Sequence, residues 1–398
     1  MKNHYMSIKF CLYSAIILIF TMSLYVVPTY SFNSAIATNN INTLQAIQGS
    51  NDTSSVADEA IQKIALIKNK FTYAAYQNGS FYNFYGMYSP GMFDRLDDDL
   101  NTTITNNLNL LTARPIPEGE FPFYLHPAYK DEPYIQYYYL IHDLAKRNNT
   151  IVENLTDMDV DQGKIFRENG ENAYDVLILF HNEYVSQSEY NNLKRFVENG
   201  GTILFTEGNV LYAEIDYDPV NETITLVDGH NWKFNGTAAV NSVAERWLDE
   251  NRDWMGSNFL NVPSGKPFPF KFNPFNYTHT EEQHLTNSKA KILLNYEAYN
   301  LPEEYSNATV ATYEMQYGKG KIVHLGLWGH MVKDNPLFID YMDRVLIPLA
   351  LGQNVTELNN SFIKDALNMA NSTKSVSDDS EQRFNDTQLV VDSQNPRS

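Results

Sequence analysis

Between residues 174 and 209 the apolar positions change period twice. Residues 176–180, VLILF, form an unbroken apolar run without polar alternation, the pattern of a strand buried on both faces of a parallel sheet. Ser186 followed three residues later by Glu189 is a capping-box signature, so a helix is predicted to start there. Tyr190, Leu193, Phe196 and Val197 then fall on one helical face, and Gly200-Gly201 supplies a left-handed stop. Residues 202–205, TILF, give a second buried strand. A crossover of this length is right-handed and makes the two strands parallel. Polar residues follow both runs: His181, Asn182, Glu183 and Tyr184 after the first, Glu207, Gly208 and Asn209 after the second. Ligands bind at this edge of an open parallel sheet.

The same reading extends along the chain. The aromatic-rich stretch 71–88 predicts a strand pair around an Asn78-Gly79 turn, with core packing favoured over sugar stacking. Residues 134–147 have helical apolar spacing and end on basic side chains, and 150–155 read as a strand. After Asn209 the period becomes alternating: 213–217, 223–227 and 230–234 predict an antiparallel meander, followed by a helix over 237–250 and an irregular stretch over 251–290. Strands are predicted at 291–298 and in a hairpin, 310–317 and 321–327, closed by Gly318-Lys319-Gly320. Asn335 as cap and Pro336 at the first helical position open a final helix carrying Phe338, Tyr341, Met342, Val345 and Leu349 inward.

The fold class expected is therefore α/β: a three-layer sandwich with a mostly parallel central sheet, plus an antiparallel meander and an irregular insertion. Residues 1–37 read as a signal peptide or N-terminal anchor and 38–60 as a polar linker. Residues 61–352 make the α/β domain with its insertion at 211–308, and 353–398 read as a disordered polar tail.

Composition adds a destination. Lys2, His4 and Lys9 precede an apolar stretch over 11–27, and Ala35-Ile36-Ala37 offers a small-residue cleavage site, so the chain is expected to be secreted or held on the outer face of the cell membrane. The one cysteine, Cys11, lies inside that leader, which leaves no disulfide, thiolate ligand or cysteine nucleophile beyond it. Thirteen N-x-S/T sequons, from Asn51 to Asn385, point to a glycosylated surface. A formal charge of −19 disfavours nucleic acid as a partner and suits cations, sugars or neutral solutes. No P-loop and no G-x-G-x-x-G occurs, so no nucleotide cofactor is expected.

The candidate chemistry sits at the predicted strand ends. His181, Glu183, Glu207 and His330 come from three such ends and could place an acid and a base across a substrate. The competing reading has Glu183 and Tyr184 bracing the neighbouring helix and His330 packing in a turn. The acidic stretch 156–168 imitates a calcium loop through Asp157 and Asp159, but Gln162 stands where that loop needs glycine, and a solvated loop is the simpler expectation.

These pieces resemble a family. H-x-E-Y at His181, Glu183 and Tyr184, a helix ending E-x-G-G at Glu198, Gly200 and Gly201, and G-N-V-L-Y at 208–212 are similar to the C-terminal domain of N,N-dimethylformamidase β-subunit-like proteins. The resemblance implies membership of the class I glutamine amidotransferase-like superfamily, with a flavodoxin-like sandwich. It also implies an iron site built from tyrosines and a glutamate that activates water to hydrolyse an amide. Tyr184 is the one ligand the motif carries over, and Val185 replaces the family's usual tryptophan after it. The cysteine mechanism of the amidotransferases is excluded, because neither the cysteine nor a G-x-S-x-G substitute is present. The cofactor candidates are a divalent metal or iron, and the partner candidates a small molecule or glycan. The expected function is a metal-assisted hydrolase of an amide or sugar-linked substrate, and the alternative is a non-catalytic surface module binding ligand or partner on the same fold.

Overall fold

The computed structural model describes residues 61–77, 80–81, 113–116, 132–208, 210–230, 243–261, 270–275, 281–295, 297–298 and 310–368. The expected leader, linker, Asn78-Gly79 turn and final polar residues, and much of the expected insertion, lie outside them. In chain order the strands are β1 (Lys63–Lys68), β2 (Ala113–Pro115), β3 (Ile151–Thr156), β4 (Val176–Leu179), β5 (Tyr184–Ser186), β6 (Thr202–Phe205), β7 (Ala213–Asp218) and β8 (Thr223–Asp228). They continue as β9 (Ser257–Asn261), β10 (Phe270–Phe272), β11 (Glu281–Leu285), β12 (Lys291–Asn295), β13 (Glu297–Ala298), β14 (Val310–Tyr317) and β15 (Gly320–Leu325).

Seven of them form the main sheet in the order β12-β14-β15-β6-β4-β1-β3. The five strands from β15 to β3 are parallel; at one edge β14 runs antiparallel to β15, and β12 antiparallel to β14. Successive side chains of the parallel strands enter two separate cores, as a strand's period of two requires. Ile64, Leu66, Ile178, Leu204 and Val323 pack with Tyr137, Phe338 and Tyr341 on one face. Ala65, Ile67, Leu177, Ile203 and Ile322 pack with Leu193, Phe196 and Trp254 on the other. Burial on both faces is why residues 176–179 and 202–205 carry no polar alternation. A second sheet, β2-β8-β7-β5, holds the predicted 213–217 and 223–227 pair and takes in β5 parallel to β7.

Several expectations need correction. The aromatic stretch after β1 is a helix, Lys70–Tyr76, and not the arm of a hairpin. The acidic stretch is also helical: Asp157–Asp161 starts at a complete capping box, in which Thr156 accepts from Asp159 N and Asp159 bonds back to Thr156. Ser186 forms only half of the predicted box: its hydroxyl accepts from Glu189 N, while the Glu189 side chain turns into the core. Of the helix expected over 237–250, the first residues lie outside those described, Val243 bridges His230, and a helix covers Leu248–Trp254. The closing helix begins at Asn335 as predicted, then passes through a π turn at Met342–Leu346 beside Pro348, which has no N–H for the regular ladder. The polar segment after 353 does not lose structure at once. A helix spans 356–368, and its Phe362 and Ala366 pack into the first core with Val355.

Candidate functional site

The candidate site lies where β1, β4, β6 and β15 end at their carboxyl edge, and the segment that shapes it is Asn69–Tyr76. Asn69 Nδ2 donates to the His181 carbonyl at 2.7 Å. The Thr72 hydroxyl accepts from both Glu183 N and Tyr184 N, at 3.0 and 3.1 Å. Glu183 N lies in the turn between β4 and β5 and Tyr184 N at the start of β5, and one threonine oxygen satisfies both buried donors. The Tyr76 hydroxyl then donates to Glu183 Oε2 at 2.5 Å. His181 Nε2 stands 2.9 Å from Glu183 Oε1, within ion-pair distance although off the line of a hydrogen bond. His181 and Glu183 have no solvent exposure.

A second histidine–carboxylate pair forms beside the first. Glu207 Oε1 accepts from His330 N and lies 3.1 Å from His330 Nδ1. Gly329 makes this approach possible, because a Cβ there would come within 2.1 Å of the Tyr137 hydroxyl and 2.6 Å of the Thr206 carbonyl. The Glu207 main chain is held in turn by His324, whose Nε2 donates to the Glu207 carbonyl at 3.2 Å. Burial lowers the His324 pKa to about 3, so this ring is neutral, with its proton on Nε2. Tyr137, donating to the Thr206 carbonyl, has its hydroxyl pushed well above the ordinary range, first by burial and then by the Glu207 charge.

Tyr134 and Trp328 link the two pairs. The Tyr134 ring stacks on His330 with centroids 3.8 Å apart and meets His181 edge-on at 6.3 Å. Trp328 contacts His181 at 5.3 Å and His330 at 5.4 Å. The structure therefore brings His181, Glu183, Glu207 and His330 into one aromatic-walled neighbourhood, as their positions at strand ends suggested.

The other expected residues go elsewhere. Tyr184 is fully buried, and its hydroxyl lies 2.7 Å from His230 Nε2. Asp157 accepts from Phe71 N at 2.6 Å and Met158 N at 3.0 Å, and Asp159 pairs with Lys164 and Thr156. These aspartates cap and pin helices, so the imitation of a calcium loop ends at its sequence. Among the described residues no group of three or more His, Cys, Asp or Glu side chains is arranged to hold a metal ion. Among the described residues the side-chain partner seen at the Tyr184 hydroxyl is His230. A donor set of the implied tyrosine-and-glutamate class meets around Glu183, where the Tyr76 hydroxyl and the His181 imidazole converge on its carboxylate.

Tyr76, Thr72, Asn69 and Tyr134 were not singled out from sequence as site residues. The available signal was position: the apolar run Ile64–Ile67 is a buried strand, and residues just beyond such a strand share the sheet's carboxyl edge.

A family model, N,N-dimethylformamidase beta subunit-like, C-terminal, matches residues 52–315. The chain belongs to this family. A search of curated proteins finds no match. Among solved structures, a catalytic mutant of the GH42 beta-galactosidase Gan42B from G. stearothermophilus is 14% identical, covering 69% of this chain and 28% of the enzyme at a TM-score of 0.30. The exo-beta-1,4-mannosidase Op5Man5 from Opitutaceae bacterium strain TAV5 is 13% identical, over 61% of this chain and 37% of its own, at a TM-score of 0.31. A ThuA-like protein from Bacteroides uniformis is 13% identical, over 54% and 85% respectively, at a TM-score of 0.31. The formamidase-like chain thus spans about a quarter to a third of the length of these glycosidases.

Proposed function

We propose that this formamidase-like chain is an exported hydrolase of a small neutral amide or sugar-linked substrate, working at the carboxyl edge of its main sheet. The observation that carries the reading is Glu183, a fully buried carboxylate held between the Tyr76 hydroxyl and the His181 imidazole. A glutamate in that position orients the imidazole and stabilises the cation formed when His181 takes a proton from attacking water. Tyr76, donating to the other oxygen, balances the carboxylate when that charge is absent. Glu207 and His330 return a proton to the departing group in this reading, with the Tyr134 ring stacked on His330 as a wall. Were a metal held by Tyr76, Glu183 and His181, it would supply Lewis-acid activation of that water in place of His181 acting as base. Export is supported by the apolar leader and the sequon density.

The purified full chain, assayed against N-methylated formamides, short aliphatic amides and aryl glycosides with elemental analysis of the same sample, tests this. Turnover of at least one class is expected, and Glu183→Gln should reduce it by about a hundredfold or more at unchanged fold. Turnover that survives Glu183→Gln and Tyr76→Phe would remove the site assigned here.

One observation favours a second reading, a non-catalytic binding module. His181, Glu183 and Glu207 are all fully buried, as structural ion pairs are. No turnover of any class, together with a large stability loss in Glu183→Gln, would establish that reading in place of the first.

A further inference from the structure

At the opposite end of the main sheet lies a cavity of about 440 Å³, within the range of small-molecule sites. Its walls are the start of β12, the near ends of β14 and β15, and the first turns of the 356–368 helix. Its charge is unlike that of the chain as a whole, whose formal net charge is −19. Lys291 and Lys321 both line the cavity, with Glu314 as the single carboxylate among its lining residues. Glu314 is engaged by Lys291, Nζ to Oε1 at 2.8 Å. The half-buried Lys321 donates to the Leu349 carbonyl at 2.6 Å, and no carboxylate among the described residues pairs with it directly, although the Glu314 charge acts on it from further off. Burial lowers its pKa, with the Glu314 charge opposing that shift and the Lys291 charge adding to it. The remaining wall is apolar: Ile292, Leu293, Val355 and Ile363.

We propose that this cavity binds a small aliphatic carboxylate, its head group between Lys321 and Lys291 and its tail along Ile292, Leu293, Val355 and Ile363. Two lysines against one glutamate leave a single positive charge, which a monoanion neutralises and a phosphate dianion over-compensates. One Lys321 proton is used by Leu349, and an ammonium has two more to give. The apolar wall rewards a tail that inorganic anions lack. The site is independent of the hydrolytic reading, since it shares no residue with the carboxyl edge.

The test uses the full chain, with sodium octanoate and hexanoate as probes and octylamine and inorganic phosphate as controls, followed by calorimetry and thermal denaturation. Octanoate should bind and raise the unfolding midpoint, with hexanoate weaker and neither control binding. Lys321→Gln should weaken octanoate at least tenfold. Asn360→Trp, at an exposed position on the cavity rim, should do the same by filling the space and guards against a folding defect in the lysine variant. The proposal is overturned if octanoate does not bind, if either control binds as tightly, or if Asn360→Trp leaves octanoate affinity unchanged.

Discussion

Glu183 and Glu189 are near neighbours in sequence, both fully buried, and the fold treats them in opposite ways. Glu183 leaves the end of β4 and meets the Tyr76 hydroxyl and the His181 imidazole. Glu189 sits in the first turn of the helix Gln187–Glu198, where neither of its carboxyl oxygens has a hydrogen-bond partner among the described residues. Burial, then the nearby charges of Asp157 and Asp161, push its pKa well above the ordinary carboxylate range. Asp157 is raised as well, chiefly by burial, but two backbone N–H groups favour its charged form. Glu189 has no such donors to its side-chain oxygens among the described residues, so its protonated form is the more favoured of the two. One glutamate is held by partners as a candidate acid–base group, and the other lacks them, which favours its protonated form.

The largest expected effect breaks the first half of that contrast. Glu183→Ala removes one member of a buried pair and leaves the imidazole and the phenol facing a void, at a cost of about 3–5 kcal/mol. Urea denaturation of the purified chain measures it, with Glu189→Ala as comparator. If the two variants lose equal stability, Glu183 has no special partnership. Tyr76→Phe is a smaller change, deleting one hydrogen bond to a carboxylate without altering volume. It should cost about 1.5–3 kcal/mol and lower any turnover through Glu183. A variant with unchanged stability and unchanged turnover would place the Tyr76 hydroxyl outside the site.

The contrast also shows how far sequence carried the reading. Parallel strands buried on both faces are legible, because 176–179 and 202–205 have no polar positions to alternate. His181, Glu183, Glu207 and His330 were legible as one neighbourhood from their places after strand ends. Ser186 and Glu189 misled: the pair has capping-box spacing, but the box that closes in both directions is Thr156 with Asp159, within the stretch that imitated a calcium loop. Spacing cannot tell which way a glutamate turns, since that is decided by tertiary packing. The role of Tyr76 was hidden for the same reason. An aromatic-rich segment with an Asn-Gly pair favours a hairpin locally, whereas burying Phe71, Ala74 and Ala75 against β5 and β7 favours a helix. The helix at 356–368 escaped notice because its few buried positions, Phe362 and Ala366 among them, give a weak period.

The finest test of the comparison is the pH dependence of Glu189→Gln. Because the folded state raises the Glu189 pKa above 4.5, its stabilising contribution is complete below that value and is lost as pH rises through the folded pKa. His230 and His324 act in the other direction. Burial lowers both to about 3, so their contribution is present above 6.5 and is lost as pH falls towards 3. Glutamine resembles the protonated carboxyl and removes only the first of these slopes. At pH 8 the variant should be more stable than the parent, because the parent there ionises more readily unfolded than folded. At pH 4 the difference should vanish, because the parent is then protonated whether folded or not. Both chains should still lose stability between pH 6.5 and 4 through the two histidines. Parallel stability curves from pH 4 to 8 would mean that Glu189 is ionised in the fold, and that a cation or proton donor reaches it from outside the residues described.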